Sequence, residues 1–452
     1  MDLVKNQIVT AKIEDFSETG DGIARVGGMV VFVKGGVPGD ECEIRILKVQ
    51  TSLAFARVER LTVPSEGRVA PDCQAFPVCG GCVFRHVSYE TELKYKVKRV
   101  TDAFSRIGGV QLAPEEVIGA KSVIAYRNKV QYPVYFNGKK TGFGFYRGGS
   151  HEVVGLTRCL NQTPATDALA ATVCGFINRF GLTVYDEATG KGLFRHICIR
   201  ESRDGKQLLC IVLSSEQLPH SRELVRTVCE NHPQVSGIVL NVNPRNTNVI
   251  FGKNTIRLWG DDTLSDEVGG VLTDLSAVSF FQINREQTNR LYARAAEYAG
   301  RGVALLDLYC GAGVIGLSMA GRFNRILGIE ILPEAVENAR ANALRNGAGN
   351  AEFICGDASA ELDKLGFADS RPDVVVVDPP RKGLERAIIP KIAALTPDRV
   401  VYISCNPATC ARDLWLFADE GYIAKRLTIV DMFPRTSHVE TVVLMSRVEK
   451  QV

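Results

Sequence analysis

The chain has 452 residues, 45% hydrophobic and 23% charged, a globular composition too long for one ordinary domain and suited to two or three. Its formal net charge is only +3, so bulk charge announces no nucleic-acid partner and any such surface must come from local patches. No run is apolar enough to span a membrane, and Met1–Asn6 lacks the charged lead and apolar stretch of a secretion signal, so a cytoplasmic protein is expected.

In chain order, Gln7 to Phe16 and Val30 to Val33 alternate or run β-branched, between turn signals at Gly20-Asp21-Gly22, Gly27-Gly28 and Gly35-Gly36. Glu41 to Leu47 and Phe55 to Leu61 complete the pattern. Five short strands within residues 1–62 predict a small closed barrel of the oligonucleotide-binding kind, either RNA-binding or purely structural. Residues 63–274 read as a central α+β region. Tyr89 to Ile107 has helical periodicity and is basic at Lys94, Lys96, Lys98 and Arg99; it packs on this region or on the one that follows. His196 to Arg200 and Leu208 to Leu213 read as strands of an antiparallel sheet.

Within the central region, Cys73, Cys79 and Cys82 cluster around Gly80-Gly81, and Cys159 follows much later. The chain holds 13 cysteines, more consistent with reduced thiols, metal ligation or catalysis than with a disulfide framework. Three clustered thiols and one distant one can supply a four-thiolate site. Zinc is the simple alternative, usually held by paired Cys-x2-Cys knuckles; the uneven spacing here suits an iron–sulfur cube. The segment Lys121 to Arg147 carries six Lys or Arg and no acid, interleaved with Tyr126, Tyr132, Tyr135, Phe136, Phe143, Phe145 and Tyr146. Cations for phosphates and aromatic faces for unstacked bases suit single-stranded RNA, although alternation turns about half of the rings inward. Arg127, Asn128 and Lys129 are the expected RNA contacts.

From residue 275 to 452 the rhythm becomes strand, turn, helix. Leu305 to Tyr309, Ile326 to Glu330, Val374 to Asp378 and Val400 to Ser404 read as buried strands, and Pro333 to Asn346 as a helix, which predicts a Rossmann-like α/β domain with a covered parallel sheet. Asp307-Leu-Tyr-Cys-Gly-Ala-Gly is a glycine-rich turn, where Gly311 and Gly313 let the backbone approach a ligand. Glu330 ends the next strand, positioned for ribose hydroxyls. Asp357 ends a third, positioned for an adenine amine, and Asp378-Pro-Pro a fourth. That order points to S-adenosylmethionine-dependent methyl transfer rather than to a dehydrogenase.

Cys405 lies at the end of its strand before Asn406-Pro407, where a helix start would lower its pKa and favour a thiolate. Carbon 5 of uracil is too weak a nucleophile to attack a methylsulfonium until a thiolate adds to carbon 6; a base must then remove the carbon-5 proton. Glu440 is the expected base and His438 an orienting or packing residue. Cys310 and Cys410 read as structural.

Asp378-Pro-Pro-Arg-Lys-Gly, Val400-Val-Tyr-Ile-Ser-Cys-Asn-Pro-Ala-Thr and Val430-Asp-Met-Phe-Pro-Arg-Thr-Ser-His-Val-Glu resemble the signatures of the RNA uracil-5-methyltransferase family, and the N-terminal barrel is similar to a TRAM domain. The resemblance implies nucleophile Cys405, base Glu440, and cofactor contacts at Gln282, Tyr309, Glu330, Asp357 and Asp378. It also implies a 4Fe-4S cluster on Cys73, Cys79, Cys82 and Cys159, and a uridine of 23S ribosomal RNA as target of a monomeric enzyme. The simple transfer-RNA enzymes of the family lack the barrel and the cysteine cluster, which makes transfer RNA the second choice; a non-catalytic ribosome-assembly factor is the rival of a different class. Arg381 after the double proline speaks against cytosine or amino-group methylation. Arg435 stands where the family more often has glutamine, histidine or tyrosine.

Overall fold

Alternation of buried apolar residues with more exposed neighbours builds the first five strands. Ala11, Ile13, Ala24, Val31, Val33, Cys42, Ile44, Ile46, Ala54 and Ala56 all point inward, and Ile8–Phe16, Gly22–Val26, Met29–Lys34, Leu53–Val63 and Glu41–Val49 close in that order into a barrel. The barrel expected from residues 1–62 is present. The computed structural model describes residues 3–364 and 371–448. They divide into two compact units: one of residues 3–100, 146–154 and 433–438, the other of 101–145, 155–364, 371–432 and 439–448.

In the first unit, the Tyr95 ring packs edge-on against Phe16 and Phe84 at 5.3 and 5.1 Å, beneath the barrel. At the next position, Lys96 Nζ donates to Glu92 Oε1 at 2.7 Å, both side chains fully buried, and to the Phe433 carbonyl at 3.2 Å. Arg435 completes this knot. Its backbone N–H donates to Glu92 Oε1 at 2.7 Å and its guanidinium to the Val87 carbonyl at 2.9 Å. Arg435 adopts a left-handed φ of 68° and its side chain is only 12% exposed, so the residue that departs from the family pattern is spent inside its own unit.

In the second unit, an eight-stranded sheet runs Ala351–Cys355, Phe323–Glu330, Gly302–Leu308, Val374–Val377, Arg399–Ser404, Glu440–Arg447, Tyr422–Val430, Glu116–Ile118. The first five are parallel and Glu440–Arg447 is antiparallel to both neighbours. Val374 to Val377 are fully buried, as a strand covered on both faces requires. A second, seven-stranded sheet includes, in order, Asn254–Gly260, Val235–Val242, Gln207–Leu213, Phe194–Glu201 and Lys129–Phe136. It is mixed rather than antiparallel: the helix Ser221–Asn231 provides a crossover that sets Gln207–Leu213 parallel to Val235–Val242. Leu209, Ile211, Ile197 and Ile199 pack beneath the helices on one face, and the hairpin Thr263–Val268/Val271–Ser276 helps to cover the other.

Candidate active site

The parallel strands end together at one edge, and the loops there hold the cofactor residues expected from sequence. Tyr309, Gly311 and Gly313 have φ of 63°, 55° and 76°, so the chain turns sharply between the strand Gly302–Leu308 and the helix Val314–Ser318. Asp307, fully buried, fixes that turn by accepting from Gly316 N–H at 2.9 Å. Glu330 accepts from Gly311 N–H at 3.1 Å and Leu332 N–H at 2.9 Å. Asp357 accepts from Ala360 N–H at 3.0 Å at the start of the next helix.

These loops enclose a cavity of about 850 Å³ whose walls include Gln282, Tyr292, Tyr309, Gly311, Glu330, Asp357 and Asp378. Gly313 is absent from the wall. A Cβ there would stand 2.7 Å from the Phe353 ring, so this glycine serves helix–strand packing. The volume fits a nucleoside-sized ligand. Burial pushes Asp378 up to about 7, and burial, with the charges of Asp378 and Glu330 adding, pushes Asp307 to about 7 despite the Gly316 N–H. Carboxyls crowded in this way favour a cationic guest, and the flanking Tyr292 and Tyr309 offer aromatic faces. The set fits S-adenosylmethionine: the carboxylates would balance its sulfonium charge, and Glu330 has lone pairs for ribose hydroxyls.

Sheet register brings the two reactive side chains together. Ser404 pairs with Thr441 across the antiparallel strands, so the next position along sets Cys405 opposite Glu440. Asn406 caps the helix Pro407–Asp419 through Ala408 N–H at 3.1 Å, and its Nδ2 donates to the Arg381 carbonyl at 3.0 Å. One residue therefore fixes the cysteine turn to the Asp378-Pro-Pro loop. Although a helix does begin behind Cys405, the thiol is pushed up to about 11. Burial is the main cause, the charges of Glu440 and Asp378 add to it, and Arg381 only partly offsets them. The expected lowering does not occur in the ligand-free protein. Burial, reinforced by Asp378 and opposed by Arg381, holds Glu440 well above the ordinary carboxyl range.

Tyr292 belongs to this constellation and carries no motif that would announce it, whereas Asp307 opens the glycine-rich motif. The only signal for Tyr292 is its place, with Leu291 and Ala295, on the buried face of the helix Arg285–Ala299. Cys310 and Cys410 are buried, and burial raises both thiols. His438, in the other unit, packs edge-on against Phe433 at 5.9 Å.

The expected RNA contacts separate. Asn128 is 8% exposed and donates to the Gln282 carbonyl at 3.0 Å, while its backbone N–H bonds the Ile283 carbonyl at 2.8 Å, so it holds the cavity-lining loop. Arg127 lies beside the Tyr126 ring at 5.7 Å. Lys129 stands 5.3 Å over the Phe251 ring. Of the interleaved aromatics, Tyr132 and Phe143 are core residues and Phe136 is exposed.

Cys73, Cys79 and Cys82 share one region of the first unit. Burial raises Cys79, with Cys82 and Cys73 adding, while Gly81 N–H donates to its Sγ at 3.4 Å. Gly80 is required by backbone approach, since a Cβ would lie 2.9 Å from the Tyr146 carbonyl. Cys159 belongs to the second unit, where its N–H donates to Asp167 at 2.8 Å. Among the described residues no group of three or more His, Cys, Asp or Glu is gathered as a metal-holding set.

The family described as tRNA (Uracil-5-)-methyltransferase matches residues 262–448, and the TRAM domain matches residues 4–58. Similar proteins include an uncharacterized RNA methyltransferase of Clostridium acetobutylicum, 39% identical over 452 residues, covering 99% of this chain and 98% of the relative. Another, of Bacillus cereus, is 41% identical over 453 residues with coverage of 99% and 98%. The crystal structure of Pyrococcus abyssi tRNA (uracil-54, C5)-methyltransferase in complex with S-adenosyl-L-homocysteine is similar in fold, with a TM-score of 0.76 at 24% identity, covering 97% of this chain and all of that one.

Proposed function

We propose that this chain, which belongs to the RNA uracil-5-methyltransferase family, methylates carbon 5 of a uridine in 23S ribosomal RNA through a covalent bond between Cys405 and carbon 6. The observation that carries the reading is the register that sets Cys405 opposite Glu440 at the strand edge where Asp378 lines the cavity. S-adenosylmethionine supplies the electrophilic methyl group. Cys405 adds to carbon 6 of the uracil and raises electron density at carbon 5, which takes the methyl group. Glu440 then accepts the carbon-5 proton, and the re-formed double bond expels the thiolate. A carboxylate whose pKa is raised is a stronger base than an exposed one, and Glu440 is buried to 4% exposure. Cationic charge entering beside Asp378 offsets the carboxylates that hold the thiol protonated, so nucleophile activation is coupled to a filled cavity. The target base must leave any stack to reach Cys405.

The test is labelled methyl transfer to unmodified ribosomal RNA. Cys405→Ala is expected to give no product, and Glu440→Gln to accumulate a covalent protein–RNA adduct that cannot eliminate. Product at the wild-type rate from either variant overturns the assignment.

Transfer RNA is the second reading, and the fold likeness favours it. The Pyrococcus abyssi tRNA (uracil-54, C5)-methyltransferase matches this chain over 97% of its length, so possession of the barrel does not separate the two substrates. Mapping 5-methyluridine in both RNAs from cells lacking the protein decides between them. The reading further takes the enzyme as a cytoplasmic monomer. A 4Fe-4S cluster remains part of the reading, supported by the shared region of Cys73, Cys79 and Cys82 in the first unit and by the N–H bound to Cys79 Sγ. Iron and sulfide analysis after anaerobic purification tests it; a colourless, zinc-loaded protein refutes it.

A further inference from the structure

One face of the seven-stranded sheet carries charge that methyl transfer leaves unused. Val130, Tyr132, Ile197 and Ile199 point toward the helices, so their alternating neighbours Lys129, Cys198 and Arg200 point the other way. Lys129 and Arg200 are direct partners across the antiparallel strands. Like charges at one cross-strand position destabilise a sheet unless an anion balances them. Arg200 is 3% exposed; its Nη2 donates to the Ser279 carbonyl, and its buried Nε has no hydrogen-bond partner. The carboxylate whose charge reaches Arg200, Asp266, is already bound by Arg285 at 2.6 Å. Lys129 meets the Phe251 ring rather than an acid, and burial followed by the Arg200 charge depresses it to about 8.

Both residues are tied to the active-site loop. Arg200 bonds Ser279 and the neighbour of Lys129, Asn128, bonds Gln282, and both Ser279 and Gln282 line the cavity. An anion held by Lys129 and Arg200 therefore sits on the frame that positions the cavity wall. A phosphodiester is the anion a polynucleotide substrate brings with every nucleotide.

We propose that Lys129, standing over the Phe251 ring with the buried Arg200 charge behind it, forms a phosphodiester subsite that seats the RNA backbone. The choice of RNA as ligand rests on the function proposed above. The test is fluorescence anisotropy of a labelled oligouridylate with the full-length protein over a series of KCl concentrations, for wild type, Lys129→Gln, Lys129→Arg and Arg200→Lys. Calorimetric binding of S-adenosylhomocysteine checks that each Lys129 variant is folded. Lys129→Gln is expected to weaken binding roughly tenfold and to reduce the slope of log affinity against log salt by about 0.7, the loss of one phosphate contact to a single strand. Lys129→Arg is expected to keep the wild-type slope, S-adenosylhomocysteine to bind both Lys129 variants as it binds wild type, and Arg200→Lys, which loses the bond to Ser279, to weaken binding of both ligands.

Wild-type affinity and slope in a folded Lys129→Gln protein overturn the subsite. Methyl transfer measured in parallel separates the two readings. If wild type modifies no RNA while the Lys129-dependent slope persists, the proposed function falls and the subsite stands. If wild type methylates RNA and the slope is unmoved by Lys129→Gln, the subsite falls alone.

Discussion

Asp378 shows how far one side chain's surroundings can move its chemistry. Its carboxyl ionises at about 7 rather than 3.8, because burial disfavours the charge. The sign of the consequence follows from linkage: an acid whose folded pKa is raised contributes stability that is complete below 3.8 and lost as pH rises through about 7. At pH 8 the cost is on the order of 4 kcal/mol. Asp378→Asn is therefore expected to raise the melting temperature of the ligand-free protein by several degrees, more at pH 8 than at pH 5, while abolishing cofactor binding. An equal or larger gain at pH 5 would mean that the carboxyl is already ionised in the fold. Sequence places this aspartate, Glu330 and Asp357 at strand ends because each follows an apolar run that is legible, and all three line the cavity. It missed the direction of the Cys405 shift, because Glu440 is 35 positions away and meets the thiol only through strand pairing. Gly313 and Asn128 were read as ligand contacts for a similar reason: glycine and asparagine suit a binding loop and a packing role equally, and only the neighbours Phe353 and Gln282 distinguish the two.

The helix Tyr89–Arg106 illustrates the same limit on a larger piece of chain. Its basic residues suggest a charged outer face, yet Lys96 is fully buried with Glu92, and Lys98 reaches Asp15 at 2.8 Å. A pair drawn out of water contributes little net stability when intact, but removing one partner strands the other charge. Lys96→Met alone is expected to cost about 3–5 kcal/mol, and the double replacement Glu92→Leu with Lys96→Met to recover part of it. Chemical denaturation followed by intrinsic fluorescence measures both, and additive losses would show that the two groups do not act as a pair. The periodicity that located this helix to within a residue (107 expected, Arg106 observed) is a local property; the identity of its partners is not. The same holds for the central sheet, whose strands were visible but whose mixed direction depends on where an intervening helix sends the chain.

At the scale of the whole protein, the two units are braided from separated segments, with the chain passing between them after residues 100, 145, 154, 432 and 438. A reading along the sequence divides such a chain into consecutive blocks, because local composition carries no trace of a later return. The barrel is the exception. It closes on itself within residues 8–63 and owns its core, so a fragment of residues 1–63 is expected to fold alone and give a dispersed amide spectrum. A collapsed spectrum would show that the barrel needs the returning segments.

The carboxylate-walled cavity has one more consequence, for turnover. The donor arrives bearing a positive charge on sulfur, and the reaction leaves a neutral thioether in its place. A wall of this kind would have less hold on the second than on the first, so S-adenosylhomocysteine is expected to dissociate more readily than the donor as pH rises through the ionisation of Asp378.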